Sequence, residues 1–481
     1  MKWCGPIPTG YSTNLRLFWT SKPVHSGALC MPLCTRKVVW GVGVTVVFVV
    51  TAPRRAMAHG IGGGPDLAVP FQYVVFGVVL ALIVSYVALA LLWREPRLQD
   101  GPRYEGPGRK VRTRPILAAA GIVALLLVIG QVVPAIFGFD RDPTRPTIAP
   151  VLVWVVFWLV VPFASALIGS WYTDLNPWRT LASSDMDKTH ILQRFGVWPA
   201  AIIFIVFAWF ELVSPNSGDP VTLGVAALAY TVFLAMVMAV AGREAGLASF
   251  DAFTPYNRLF SAISPLGRSG EGRLVWRGWL RALPVIPEWP GLWVFVVAMI
   301  GSVAYDGASG TDWFDNVTFG LLGSIGGQTA LLVLSVVVVG MGFWLASFVT
   351  AKLGNSSVTT TKVTQRFAHT LVPIALAYAV AHYFTLIIFE GQQLFAAISD
   401  PFGLGWDLFG TADRRVDFFI VDSEPVWYFQ VASIVGGSLL GVALAHDRAL
   451  ADYGGDAVRS QYAMLVLMIG LAGLGLTILA G

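Results

Sequence analysis

Cysteine is confined to the first 34 residues of this 481-residue chain, where Cys4, Cys30 and Cys34 are the three it has. All three precede the processing signal described below. The mature chain is therefore expected to carry no thiol, which excludes disulfides, Cys-ligated zinc and thiol catalysis from it. Charge is scarce too: Asp, Glu, Lys and Arg make up 12% of the residues, against about a quarter in soluble domains. With 56% hydrophobic residues, the chain holds more apolar surface than a soluble core can bury, and a lipid bilayer has to be part of its solvent. The net charge is +4 and the basic residues form no stripe with interleaved aromatics, so no nucleic-acid partner is expected. Also missing are a Gly-x-Ser-x-Gly elbow, a His-Glu-x-x-His helix and a Gly-x-x-x-x-Gly-Lys-Ser/Thr loop. Acyl hydrolysis, zincin chemistry and nucleotide use lack their usual marks, which argues against a self-contained ATP-driven pump.

What is present begins with Arg36-Lys37, an apolar run from Val38 to Val50, and Ala56-Met57-Ala58 directly before His59. Basic, apolar, then small-x-small is the order of a secretory signal peptide. A leader over 1–58 is expected, with translation starting near Met31 because residues 1–30 are polar; the alternative is an uncleaved anchor helix at 38–53. After it, ten stretches meet the requirement of about 20 largely apolar residues for a spanning helix. They are 72–93, 116–138, 150–171, 197–215, 221–242, 290–306, 326–350, 370–390, 426–446 and 462–480. The expected architecture is all-α, one polytopic helical bundle over 59–481, with the sixth helix extending toward Ser309.

Alternate loops differ sharply in charge. Segments 94–114, 172–196, 243–289, 351–369 and 447–461 hold 21 Lys and Arg, whereas the opposite set holds Arg141, Arg145, Arg414 and Arg415. Basic residues stay on the cytoplasmic side, so a bacterial cytoplasmic-membrane location with both mature ends outside is expected. The loop 243–289 mixes Trp276, Trp279 and Trp289 with arginines and prolines, which suits a segment along the headgroup boundary. The outer loop 391–425 is acidic and aromatic and is expected to cap the bundle. Asp174-Leu-Asn-Pro-Trp faintly echoes Asp251-Ala-Phe-Thr-Pro-Tyr. Gly323-x-x-x-Gly327 and Gly437-x-x-x-Gly441 are spacings that let helices approach closely.

Ionisable residues within the apolar runs are few, and each costs about 2.5 kcal/mol or more to insert. Asp306 ends the sixth helix, His382 lies in the eighth, and Glu211 and Glu390 end the fourth and eighth. At 1.5 Å per residue His382 sits about 20 Å above the inner end of its helix, and Asp306 lies at a similar height. One polar layer in the outer half is expected, serving a metal, a proton or an anion, or else only interhelical hydrogen bonds. A second, inner group is His369 with His446 and Asp447. His59, once terminal, pairs an α-amine with an imidazole and would suit copper(II); metal candidates are thus His59, Asp306, His382 and Glu390, with copper or zinc as the ion.

Several phrases together resemble a bacterial polytopic membrane-protein family named for fenitrothion hydrolase. They are His59-Gly-Ile-Gly-Gly, Gly301-Ser-Val-Ala-Tyr-Asp-Gly, the helix-eight run from Phe367 to Phe384, Asp407-Leu-Phe-Gly-Thr-Ala and Ala445-His-Asp-Arg-Ala-Leu. The resemblance runs from His59 to the C-terminus, with one departure: Gly436-Gly437-Ser438 stands where the family pattern has a Gly-His pair. It implies hydrolysis of organophosphate triesters, a chemistry that wants water held by metal among several His and carboxylate ligands. Three readings follow. Transport or metal handling through the outer polar layer is the first, with transport predicting a continuous polar cavity reaching both faces; hydrolysis predicts convergent metal ligands in a closed pocket, and a membrane scaffold predicts neither.

Overall fold

The computed structural model describes residues 70–109, 113–182, 194–269, 273–318, 320–355 and 358–480. The leader, its cleavage site and His59 lie outside the described residues. Among the described residues nine helices are long and apolar enough to cross a membrane, and a tenth, Trp198–Leu212, is shorter. In chain order they are α1 Phe71–Leu92, α2 Arg114–Phe137, α3 Ile148–Ile168, α4 Trp198–Leu212, α5 Pro220–Ala241, α6 Leu292–Ser309, α7 Ile325–Leu353, α8 Val372–Phe389, α9 Ser423–Tyr453 and α10 Tyr462–Ala480. Each expected span falls on one of them, and the protein is an all-α, multi-pass membrane bundle.

Local chemistry sets the ends. Asp219 caps α5 by accepting the Thr222 N–H at 2.7 Å, with Pro220 in the first turn where a missing N–H costs nothing. Ser324 caps α7 in the same way through the Gly327 N–H at 3.2 Å. Pro373 occupies the first turn of α8, behind the 3₁₀ turn Ala368–Leu371, where its missing N–H breaks no helical bond. Within α3 the backbone runs as a π-helix over Val151–Val160 ahead of Pro162, and the Val161 N–H reaches back five residues to the Val156 carbonyl. Widening the turn there is a way to accommodate a proline that cannot donate to the preceding turn.

The bundle has two parts. α2, α3 and α5 pack together on one side, with α4 against α3 through Trp154, Trp158, Phe204 and Phe207; α7, α9 and α10 surround α6 and α8 on the other, with α1 outside against α9 and α10, and α4 against α6 and α3 against α8 join the two. α6 is the central helix, with 72% of its apolar window buried. Small residues set the closest approaches: a Cβ on Gly437 would meet the Pro373 carbonyl at 2.6 Å, and one on Gly301 would meet the Val336 Cα at 2.7 Å. Gly441 likewise abuts the Thr370 carbonyl at 3.0 Å, so the second glycine pair does hold α9 against α8. The first does not act this way, because Gly323 lies in the 3₁₀ turn Gly320–Gly323 ahead of α7.

Connections gather at two ends. At the basic end three short strands not expected from the sequence, β1 Glu105–Arg109, β2 Leu266–Arg268 and β3 Leu274–Trp276, pair antiparallel in the order β1-β3-β2. At the acidic end Arg145 reaches Asp142, Asp400 and Asp413 at 3.6, 3.5 and 3.1 Å, and Gln131 Nε2 donates to the Pro401 carbonyl at 3.0 Å. The 391–425 loop is thereby fastened over α2 and α3 as a cap.

The segment after α5 departs from the sequence reading. Instead of lying wholly along the headgroup boundary, Arg243–Phe250 and Phe253–Ser261 form a helical hairpin that folds back into the bundle. Asp251, at its tip, accepts a hydrogen bond from the Tyr230 hydroxyl at 2.7 Å, and Tyr230 lies eleven residues, about 16 Å, up α5 from its basic end. The return arm stacks Tyr256 on Trp158 with ring centroids 5.1 Å apart, and Ser264 is back at the end of α3, donating to the Leu167 carbonyl at 2.8 Å. α4 is only 15 residues long, about 22 Å against the 30 Å hydrocarbon thickness, and the hairpin packs beside it.

Candidate functional site

The expected outer polar layer contains a pair in direct contact. Asp306, in the last turns of α6, and His382, midway along α8, meet with Oδ2 and Nε2 2.9 Å apart. Both side chains are half-buried between α6 and α8. Gly307 makes room for it: a Cβ there would lie 3.4 Å from His382 Nδ1 and 2.1 Å from Ile478 of α10. Tyr383 is buried, stands edge-on to the His382 ring at 4.8 Å, and turns its hydroxyl to the Asp306 carboxylate.

Glu211, near the end of α4, belongs to the same group. Its charge lies within electrostatic reach of Asp306, Tyr383 and Tyr256. Its carboxylate lies buried beside the indole nitrogen of Trp158, which faces it as a donor. Four helices, α4, α6, α8 and the hairpin arm Phe253–Ser261, therefore bring two carboxylates, one imidazole and two phenols together inside an apolar bundle. Glu390 stands apart, at the start of a 3₁₀ turn eight residues beyond His382, and accepts from Gln393. Among the described residues no three His, Cys, Asp or Glu side chains are arranged to hold a metal ion; Asp306 and His382 are the two donors that already converge.

The inner candidates separate into two places. His369 is buried, with Nδ1 2.8 Å from the Arg366 carbonyl, Nε2 without a partner, and the Arg448 guanidinium nearby. Beside it Glu288 binds Lys362 at 2.5 Å and Arg366 at 3.5 Å, and Arg366 reaches Asp452 at 3.5 Å. His446 and Asp447 instead fasten the chain that leaves α1. His446 Nε2 faces the Trp93 carbonyl at 2.8 Å, and its Nδ1 faces Gln461 Oε1 at 3.1 Å. Asp447, fully buried, accepts from the N–H groups of Arg97 at 2.5 Å and Leu98 at 3.2 Å, from Gln99 Nε2 at 2.7 Å and from Trp93 Nε1 at 3.2 Å.

A further polar junction was not singled out from the sequence. The two echoing segments meet: Asn176 Nδ2 donates to Asp251 Oδ2 at 3.3 Å, and Asp251 also accepts from the Thr254 hydroxyl at 2.6 Å and the Phe253 N–H at 3.1 Å. Each segment starts a short helix with its Asx side chain as cap and a proline in the first turn or soon after. The signal was the Asp-x-Asn-Pro and Asp-x-x-Thr-Pro echo itself. Next to this junction a cavity of about 530 Å³ opens among α2, α3, α4 and α5, walled by Trp154, Phe157, Trp178, Phe207, Phe210 and Tyr230 among others. Comparisons of the chain with protein-family models, with curated proteins and with solved structures found no match.

Proposed function

We propose that this multi-pass membrane protein moves a solute across the bilayer and that the Asp306–His382–Glu211 cluster holds the coupling cation, a proton. The observation that carries the reading is the 2.9 Å contact of Asp306 with His382 in electrostatic reach of a second buried carboxylate, Glu211. With both carboxylates ionised, a single imidazolium leaves the cluster with one net negative charge. One more proton completes it, and coupled groups of this kind take up and release protons as a unit. Ionisable side chains at bilayer depth are the usual stations of proton relays.

A zinc or copper ion is the second reading, favoured by the chemistry of the donors: one imidazole and two carboxylates are zinc ligand types. It requires Glu211 to turn toward the pair. The two are separated by infrared difference spectroscopy of the protein in membranes, taken between acid and alkaline buffer, with metal analysis of the same samples. Proton binding gives a protonated-carboxyl band that is lost in Glu211→Gln or Asp306→Asn and whose midpoint moves in His382→Ala. Stoichiometric metal lost in His382→Ala gives the second reading, and neither signal sinks both.

A further inference from the structure

The antiparallel sheet at the basic end has one face on the bundle and one turned away from it. Side chains alternate along a strand: Val275, in the middle of β3, is buried, and a Cβ on Gly108 would meet it at 2.5 Å. Trp276, next along β3, is on the other face and 46% exposed. Three residues on, Trp279 is 52% exposed in a tight turn. That turn is pinned on both sides, the Arg277 N–H donating to the Pro265 carbonyl at 2.7 Å and the Leu280 N–H to the Ile263 carbonyl at 3.2 Å. The backbone is left-handed at Gly278, φ 83°, and again at Leu280, φ 62°, a conformation that is strained for leucine. The strain holds a large apolar ring outward, the opposite of what burial in a core would favour.

The same surface is basic. The segment leaving α1 lies along it, the Arg103 N–H donating to the Arg277 carbonyl at 3.3 Å and Arg281 reaching the Arg97 carbonyl at 3.0 Å. Over 94–109 and 273–281 seven arginines stand against three carboxylates. Arg94, Arg97, Arg103 and Tyr104 are exposed; Arg103 also pairs with Asp100 at 3.2 Å, a surface contact too weak to withhold it from another anion. The height of the patch is fixed as well. Ile263, to which the Trp279 turn is bonded, precedes Ser264, whose hydroxyl donates to the Leu167 carbonyl in the last turn of α3, and Arg97 lies five residues past the end of α1. The patch is therefore level with the ends of spanning helices, where lipid headgroups lie.

We infer that the outward face of this sheet is a docking surface for anionic phospholipid headgroups. Trp276 and Trp279 sit at the boundary with their ring bodies toward the acyl chains and their indole N–H groups toward the headgroups, and the arginines beside them take the phosphates. Charge complementarity and height commit the surface to lipid, since a soluble protein would need a patch standing clear of the bilayer. The surface stands on the basic end alone, so it holds or fails independently of the Asp306–His382–Glu211 reading.

The test uses the full chain in nanodiscs of phosphatidylcholine mixed with phosphatidylglycerol, with bromine on the acyl chains of one lipid or of the other as the quencher. The signal of the patch is the fluorescence lost when Trp276→Phe and Trp279→Phe are combined. Brominated phosphatidylglycerol quenches this signal more than an equal amount of brominated phosphatidylcholine, and the preference shrinks with added salt. Arg94→Gln, Arg97→Gln and Arg103→Gln lower the enrichment of phosphatidylglycerol at the patch about fivefold for each charge removed, whereas Lys at the same positions keeps it. All three side chains are exposed, and thermal unfolding shows that the variants are folded. Equal quenching by the two lipids, unchanged by the Gln variants, overturns the assignment. A signal untouched by bromine and fully open to aqueous acrylamide overturns it as well, because the face then points into water, as a docking site for a soluble protein would.

Discussion

Asp447 shows what a single buried carboxylate does in this protein. It accepts two backbone N–H groups and two side-chain donors from the segment after α1, and hydrogen bonds to a charged acceptor are worth about 1.5–3 kcal/mol each. Asp447→Asn turns one acceptor oxygen into a donor that faces other donors. The expected loss is about 2–3 kcal/mol in stability, measured by thermal unfolding in detergent, with Asp452→Asn as a control in the neighbouring ion cluster. At Gly307 the constraint is steric, a Cβ there falling 2.1 Å from Ile478 of α10, and Gly307→Ala is expected to cost about 1–3 kcal/mol by overpacking. A melt unchanged from the wild type would show that α10 can simply step aside. Asp306 and His382 were legible because an ionisable residue stands out inside an apolar run. Asp251 was not, because the apolar residues around it, Leu247, Phe250 and Phe253 among them, form no run of spanning length and nothing in the local pattern says that the segment turns inward. The separation of His369 from His446 and Asp447 was equally hidden, since position along a helix gives height but not the direction a side chain takes.

The elements themselves were nearly all written in hydropathy. An apolar run of about 20 residues has few other ways to satisfy its backbone in lipid, and each of the ten runs became a helix. Ends were less legible. α9 continues to Tyr453, past the His446-Asp447-Arg448 stretch where the apolar pattern stops, because those polar residues are satisfied by partners far away in sequence. The strands β1 to β3 left no pattern at all, being three to five residues long and, in β1, mostly Gly and Pro. The cap at the acidic end carries a pH dependence of its own. The Thr144 hydroxyl and N–H hold the Asp142 carboxyl below the usual carboxylate range, and the Ala412 N–H does the same for Asp407. A carboxyl with a lowered folded-state pKa contributes stability above its unfolded value, about 3.9, and loses it as pH falls through the folded value. Amide exchange at Thr144 and Ala412, corrected for intrinsic rate, should therefore be constant from neutral pH down to about 5 and speed up below about 4. Faster exchange already at pH 6 would contradict this.

For the molecule as a whole, the asymmetry of charge between its two ends is the feature with the widest reach. Loops that the sequence assigned to one side do meet in space, as with Arg281 on the Arg97 carbonyl at 3.0 Å and Arg145 on Asp413 at 3.1 Å. If the basic end faces the cytoplasm, a membrane-impermeant maleimide will label Asp413→Cys in intact cells and Thr361→Cys only after permeabilisation. The reverse pattern would invert the whole topology. The order of assembly follows from another feature. α1 is synthesised before the other nine of these helices, yet it packs against α9 and α10, and the bonds that fix its exit loop span 348 to 354 residues. Closing so long a loop has to wait for synthesis to reach the far end. Until then α1 lies in the membrane without its permanent neighbours, and a chain cut short before Asp447 carries an unclaimed first helix that marks it as unfinished.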